Sequence, residues 1–234
     1  MFFWDPTMIL LLPAIAFALW AQFKVKSSFK KYSKIYASSN FTGAQVARKI
    51  LDSYGLQEVR VEATPGELTD HYDPRDKTLR LSEPVYGSPS LAAIGVAAHE
   101  AGHAVQHAKN YSPLALRSAI VPVAQIGNYA SWPLLIIGLM LGNNAMGQLF
   151  VELGVLIFSG VVVFQLVTLP VEFNASSRAL AVLTQGGYLE GDELTGAKRV
   201  LSAAAMTYVA AALMGILQLL RLLIMSGLLG RRDD

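Results

Sequence analysis

AIVPVAQIGNYASWPLLIIGLML (residues 119–141) and QLFVELGVLIFSGVVVFQLVTL (residues 148–169) are two apolar runs, each long enough to cross the hydrocarbon core of a bilayer. Between residues 118 and 171 the only charged side chain is Glu152, so this part of the chain cannot form the surface of a soluble domain. A short polar turn over residues 142–144 joins the two runs. The sequence therefore predicts a transmembrane hairpin whose partner is the lipid bilayer.

Two further apolar segments predict two more spans. The first runs from about Pro6 to Phe23, with Trp4 and Trp20 where interfacial aromatic residues usually lie. No Lys or Arg precedes it, so we interpret it as a retained anchor and not as a secretory signal. The last span lies between Arg199 and the terminal Arg231-Arg232. Arg221 interrupts its apolar run, and we expect this residue to snorkel to an interface.

Basic residues predict how the spans are oriented. Five lysines follow the first span and none precede it: Lys24, Lys26, Lys30, Lys31 and Lys34. The positive-inside rule then places the N-terminus outside and makes residues 24–113 and 171–199 cytoplasmic. Lys34 and Arg178 should face the cytoplasm and Asn143 the outside. Four spans would place Arg231 and Arg232 outside, which disagrees mildly with the rule. The aspartates that follow them reduce this disagreement.

The polar stretch after the first span predicts a small α+β unit. Residues 41–56 have helical spacing, with Thr42 as a candidate N-cap and Gly55 as a stop. Residues 58–62 and 78–82 alternate as half-buried strands do. We therefore predict a mainly α, polytopic membrane protein with about four transmembrane helices and a small α+β cytoplasmic unit.

The predicted organisation divides the chain into five parts. Residues 1–23 form an N-terminal transmembrane anchor, and residues 24–113 the cytoplasmic α+β unit. Residues 114–170 form the hairpin, 171–199 a cytoplasmic helical segment, and 200–234 a C-terminal transmembrane helix and tail. A net charge of +2 gives no nucleic-acid footprint, and the absence of cysteine excludes disulfides and thiolate metal sites.

HEAGH (residues 99–103) is the segment that indicates chemistry. It lies within a predicted helix from Ser90 to about His107, capped by Ser88 or Ser90. Positions i and i+4 share one helix face, so the imidazoles of His99 and His103 can reach one cation while Glu100 lies beside them. Water activation by zinc needs this combination of two neutral nitrogens and a nearby carboxylate. The alternative is a helix with two core or solvated histidines and a surface glutamate.

A catalytic zinc site usually has a third protein ligand, and two residues are candidates. His107 stands eight residues after His99, about 12 Å along the helix axis, which makes joint ligation difficult and favours a packing or supporting role. Glu172 is the first charged residue after Glu152, and two membrane crossings return it to the face that carries the histidines. It either completes the site or only marks the membrane boundary.

AAHEAGHAVQH (residues 97–107), followed far downstream by EFNASSRA (residues 172–179), resembles the bacterial YugP-type membrane zinc peptidases. DHYDP (residues 70–74) and TLRLS (residues 78–82) look like that family too, and the likeness covers nearly the whole chain. The chain is more distantly similar to gluzincin peptidases of the heat-shock membrane protease (HtpX) and CAAX prenyl protease type. Those relatives carry a third-ligand glutamate on a later helix.

This resemblance implies that His99, His103 and Glu172 bind Zn²⁺ and that Glu100 is the catalytic base. The distant relatives usually have an aspartate four residues after the ligand glutamate, where this chain has Ser176, a hydroxyl without charge. Arg178 either stabilises the oxyanion or pairs with a headgroup or carboxylate. His71 is either a turn residue or a transition-state donor.

The function that these expectations imply is a membrane zinc endopeptidase of the cell (inner) membrane, with its active site in the cytoplasm. Its substrates would be membrane or membrane-proximal proteins and peptides, bound by strand addition to an edge strand around residues 79–81. Two alternatives are a non-catalytic membrane protein with a structural or sensory zinc site, and a transporter. The intact Glu100 argues against the first, and the lack of repeated broken helices against the second.

Overall fold

The computed structural model describes residues 6–142 and 144–228. The expectations for Trp4, Asn143, Arg231 and Arg232 therefore lie outside the described residues. A 3₁₀ turn over Pro6–Leu11 leads into the first of seven described helices. In chain order the elements are α1 (Leu12–Tyr32), α2 (Gly43–Ser53), β1 (Arg60–Thr64), β2 (His71–Asp73), β3 (Thr78–Ser82), α3 (Glu83–Tyr86), α4 (Leu91–Ala108), α5 (Ser112–Leu141), α6 (Ala145–Gln185) and α7 (Gly191–Met225).

Among the described residues, four helical segments are long and apolar enough to cross a membrane: Pro6–Tyr32, α5, α6 and α7. They contain the four spans that the sequence predicts, and the mainly α, polytopic membrane fold is confirmed. Each helix extends beyond its predicted apolar run. The 41 residues of α6 measure about 61 Å, roughly twice the thickness of a bilayer's hydrocarbon core, so part of α6 must leave the bilayer.

One compact unit contains the described residues before Ala21, Leu116–Leu169 and the described residues from Tyr208 onward. Its buried side chains include Leu135, Phe158 and Leu222. Arg221 is only 9% exposed, and its Nε donates a hydrogen bond to Oγ1 of Thr7, at the start of the first span, at 3.2 Å. The guanidinium is thus held among the helices of this unit, because a hydroxyl of the first segment lies within its reach.

The second compact unit contains Ala21–Ala115 and Pro170–Thr207. Its helix α2 begins with a capping box: the Thr42 hydroxyl accepts from the Gln45 amide, and the Gln45 side chain accepts from the Thr42 amide. Thr42 is therefore the N-cap, as the sequence predicts. The apolar face of α2, with Val46 and Ile50, is buried in the core that also contains α4.

The sheet of this unit has the strand order β1-β3-β2. β3 covers the predicted residues 78–82, whereas β1 begins two residues later than predicted. β3 pairs with β1 in parallel and with β2 in antiparallel, so both of its sides are occupied. The expectation that residues 79–81 form an edge strand is therefore wrong. β2, with three residues, was not predicted, and His71 lies in this strand and not in a turn.

Candidate metal centre

Helix α4 carries the histidine pair inside the second unit. Of the two candidate caps, Ser90 is the N-cap, because its hydroxyl accepts from the Ala93 amide at 3.2 Å. Ser88 instead accepts a hydrogen bond from the Ser90 amide. Thirteen of the 18 residues of α4 are buried, and eight of these are alanine or glycine, which lets other helices approach α4 closely.

At Gly102 the backbone of α6 lies close to α4. A Cβ atom at this position would lie 2.9 Å from the carbonyl oxygen of Ala175, closer than side-chain carbons normally approach. Ala175 follows Glu172 by three residues on α6 and so lies on nearly the same helix face. The missing side chain of Gly102 therefore lets α6 bring Glu172 up to the two histidines.

Three side chains converge here, from two helices that are far apart in sequence. Oε2 of Glu172 lies 3.2 Å from Nε2 of His99 and 3.6 Å from Nε2 of His103. The candidate ligand atoms of all three residues lie within 4.8 Å of one another. Glu172 is only 2% exposed and His103 8%. Two imidazole nitrogens and one carboxylate oxygen are a donor set that catalytic zinc takes, so these residues fit a zinc ion.

The ring nitrogens that face away from Glu172 are both hydrogen-bonded. Nδ1 of His99 lies 3.1 Å from the Ser176 hydroxyl, and Nδ1 of His103 lies 3.0 Å from Oε1 of Gln106. Ser176 thus contacts a histidine from the position where the distant relatives have aspartate. Such contacts orient metal-binding imidazoles and point their other nitrogen at the metal.

Gln106 and Asn174 are the residues of the site that sequence reasoning missed. Nε2 of Gln106 donates to the Val171 carbonyl at 2.9 Å and to Oδ1 of Asn174 at 3.0 Å. A signal was available for Gln106: it is a polar residue in an apolar helix, three positions after His103 and thus on the same face. No local pattern indicates Asn174, because its contact crosses from α6 to α4.

Glu100 follows His99 on α4 and is half-buried. Within the described part of the chain, its carboxylate makes no hydrogen bond, which leaves it available to a water molecule. Burial alone would lower the pKa of His103, but the hydrogen bond to Glu172 and the negative charges of Glu100 and Glu172 outweigh it. The pKa of His103 in the metal-free protein is therefore raised above its ordinary value.

His107 lies against β2 and not with the three candidate ligands. Its Nδ1 is 2.9 Å from the Tyr72 hydroxyl, and the two ring centroids are 5.9 Å apart. Burial, together with the charges of nearby acidic residues, raises the pKa of Tyr72 to about 12, so its hydroxyl remains protonated at neutral pH. This contact ties the C-terminal turn of α4 to the edge of the sheet.

Arg178 and His71 also have partners away from the ligand atoms. Nε of Arg178 donates to Oδ1 of Asn174 at 2.7 Å, so the residue that this nitrogen contacts is an amide and not a carboxylate. His71 is exposed, and its Nδ1 donates to the Thr69 carbonyl at 2.8 Å. A chain of hydrogen bonds thus connects Arg178 to His103 through Asn174 and Gln106.

Comparison with known proteins gives two matches. Residues 7–227 match the family described as "Putative neutral zinc metallopeptidase". A relative from Bacillus subtilis (strain 168), described as "Putative membrane protease YugP", is 52% identical over 228 residues, which cover 96% of this chain and 97% of the relative. No solved structure matches the chain.

Proposed function

The chain belongs to the family described as "Putative neutral zinc metallopeptidase", and on that premise we propose that it is a membrane-embedded, zinc-dependent endopeptidase. The observation that carries the proposal is the convergence of His99, His103 and Glu172 within 4.8 Å, beside a glutamate without a hydrogen-bond partner in the described part of the chain. A site built only to hold a metal for structure has no use for such a glutamate.

In the proposed mechanism, His99, His103 and Glu172 would hold the metal. A zinc ion bound there supplies Lewis-acid polarisation of the scissile carbonyl and of the attacking water. Glu100 accepts the proton of that water and later delivers it to the leaving amine. The burial of Glu172 and His103 keeps bulk water away from the ligands and so strengthens the electrostatic effects of the site.

We place the reaction at the cytoplasmic face of the cell (inner) membrane. The five lysines that follow the first span support this orientation through the positive-inside rule. Glu172 follows the apolar run of residues 148–169 by three positions, so in sequence the site adjoins a membrane segment. Membrane proteins, and peptides that emerge from the bilayer, are therefore the proposed substrates.

The test is cleavage of casein and of a membrane-derived peptide by the purified protein, with and without a chelator. We expect cleavage that the chelator abolishes and that zinc restores. The Glu100→Gln variant keeps the shape of the side chain and removes the base. It should therefore retain zinc and cleave about 10² to 10⁴ times more slowly than the parent.

A variant that cleaves as fast as the parent would refute the role of Glu100. A parent protein that holds zinc and cleaves nothing would favour the alternative, a non-catalytic membrane protein with a structural or sensory zinc site.

A further inference from the structure

Gln106 is a fully buried polar side chain next to the candidate metal centre. All three of its hydrogen bonds go to protein groups: Oε1 faces Nδ1 of His103, and Nε2 donates to the Val171 carbonyl and to Oδ1 of Asn174. Both hydrogens of the amide nitrogen are therefore used. Burying an amide costs free energy unless the amide is hydrogen-bonded. A position that served only to fill the core would therefore favour an apolar residue of the same size.

The two ends of this hydrogen-bond chain determine which way the amides point. A main-chain carbonyl can only accept, so the atom of Gln106 that faces Val171 must be the nitrogen. Nε of Arg178 can only donate, so the atom of Asn174 that it contacts must be the oxygen, which again requires the nitrogen of Gln106 opposite it. The remaining Gln106 atom, the oxygen, must then face His103.

We propose that Gln106 is a positioning residue that holds His103 in the tautomer with its hydrogen on Nδ1, so that the Nε2 lone pair points to the metal. This inference rests on the proposed zinc site. An amide oxygen only accepts, so the Nδ1 atom opposite it must carry a hydrogen. A neutral imidazole with hydrogen on Nδ1 has its lone pair on Nε2, the atom that faces Glu172.

The same side chain also connects the two helices that supply ligands. Val171, whose carbonyl accepts from Gln106, directly precedes Glu172 on α6. One buried amide thus sets the tautomer of one ligand and holds the backbone next to another. Arg178, through Asn174, fixes the orientation of that amide from the far end of the chain of contacts.

Ser176 does not impose the same selection on His99. A hydroxyl donates or accepts equally well, so either tautomer of His99 can satisfy its contact at 3.1 Å. The hydrogen-bond partner of His103 therefore fixes its tautomer, whereas the partner of His99 does not. Loss of Gln106 should weaken metal binding more than loss of the Ser176 hydroxyl.

The experiment measures the zinc dissociation constant of the full-length protein in detergent by competition with a chromophoric chelator. Gln106→Met removes the three hydrogen bonds at nearly constant side-chain length, and we expect zinc binding to weaken about 10- to 100-fold. Ser176→Ala should weaken it less than Gln106→Met does. Gln218→Met is the matched control: it makes the same change at a buried glutamine of α7 in the other unit, and it should leave the constant unchanged.

A metal on Nε2 would itself leave the hydrogen on Nδ1, so nitrogen NMR of the parent protein with ¹⁵N-labelled histidine, recorded without zinc as well as with it, gives a second measurement that does not depend on any variant folding. We expect the hydrogen of His103 on Nδ1. A hydrogen on Nε2 would overturn the proposal, as would a Gln106→Met variant that binds zinc as tightly as the Gln218→Met control. These measurements do not involve hydrolysis, so a parent that binds zinc with this difference and cleaves nothing would refute only the proposed peptidase activity.

Discussion

Gly102→Ala tests whether the close approach of α4 and α6 assembles the metal site. The new Cβ would lie 2.9 Å from the Ala175 carbonyl oxygen and 3.4 Å from the Ala175 Cα. A carbon–oxygen contact needs about 3.3 Å, so the two backbones must separate by about 0.4 Å. Zinc–ligand distances in a well-formed site stay within about 0.2 Å of their standard values, and Glu172 lies one turn from Ala175 on the same helix.

We expect zinc binding by Gly102→Ala to weaken at least about tenfold, the range seen when the supports of metal ligands are disturbed. Overpacking should also destabilise the metal-free protein by about 1–3 kcal/mol. The better helix propensity of alanine offsets up to about 1 kcal/mol of this loss. Chelator competition measures the first effect, and thermal unfolding of the metal-free protein in detergent measures the second.

Two other helical glycines provide graded controls. A Cβ at Gly95 would lie 3.3 Å from the Ala197 Cβ, a tight contact with a side-chain atom, and a Cβ at Gly160 would lie 3.7 Å from Val123, an ordinary contact. The effects of the alanine substitutions should therefore decrease from Gly102 to Gly95 to Gly160. If Gly102→Ala binds zinc and unfolds as Gly160→Ala does, the close approach does not set the ligand geometry.

Three further predictions concern the ligands, their protonation and the topology. Glu172→Ala should lose most bound zinc and all activity, whereas His107→Ala should keep its metal and lose activity only in part; the reverse metal contents would reverse the assignment. The raised pKa of His103 in the metal-free fold lets protons compete with zinc. As the pH is lowered, the zinc affinity should therefore begin to fall while the pH is still above the ordinary imidazole pKa of about 6.5. Protonated His103 stabilises the metal-free fold at low pH, and this contribution is lost as the pH rises. A zinc affinity that stays constant from about pH 8 to about pH 5.5 would contradict the assignment of His103 as a ligand. In a chain without native cysteine, an impermeant thiol reagent should label Asn143→Cys but not Lys34→Cys in intact cells, and labelling of Lys34→Cys alone would invert the topology.

Features that depend on neighbouring residues could be predicted from the sequence. The apolar runs of residues 119–141 and 148–169 are solvated by lipid whatever their tertiary partners, so they predict spans directly. The i, i+4 spacing of His99 and His103 places both imidazoles on one face of any helix. The capping box at Thr42 satisfies amides of its own first turn. Each of these signals is complete within about twenty residues.

Features that depend on contacts between distant segments were decided only by the tertiary structure. β2 is too short to show a period, and only pairing makes it a strand, which converts β3 from a predicted edge to the centre of the sheet. Glycine is common in helices for many reasons, so nothing in the sequence shows that Gly102 faces the backbone of Ala175. Gln106 acquires its role because a carbonyl and an amide of α6 meet it from 65 and 68 positions away. The direction of a hydrogen bond between two helices depends on how the helices pack, so the local sequence of either helix cannot predict it.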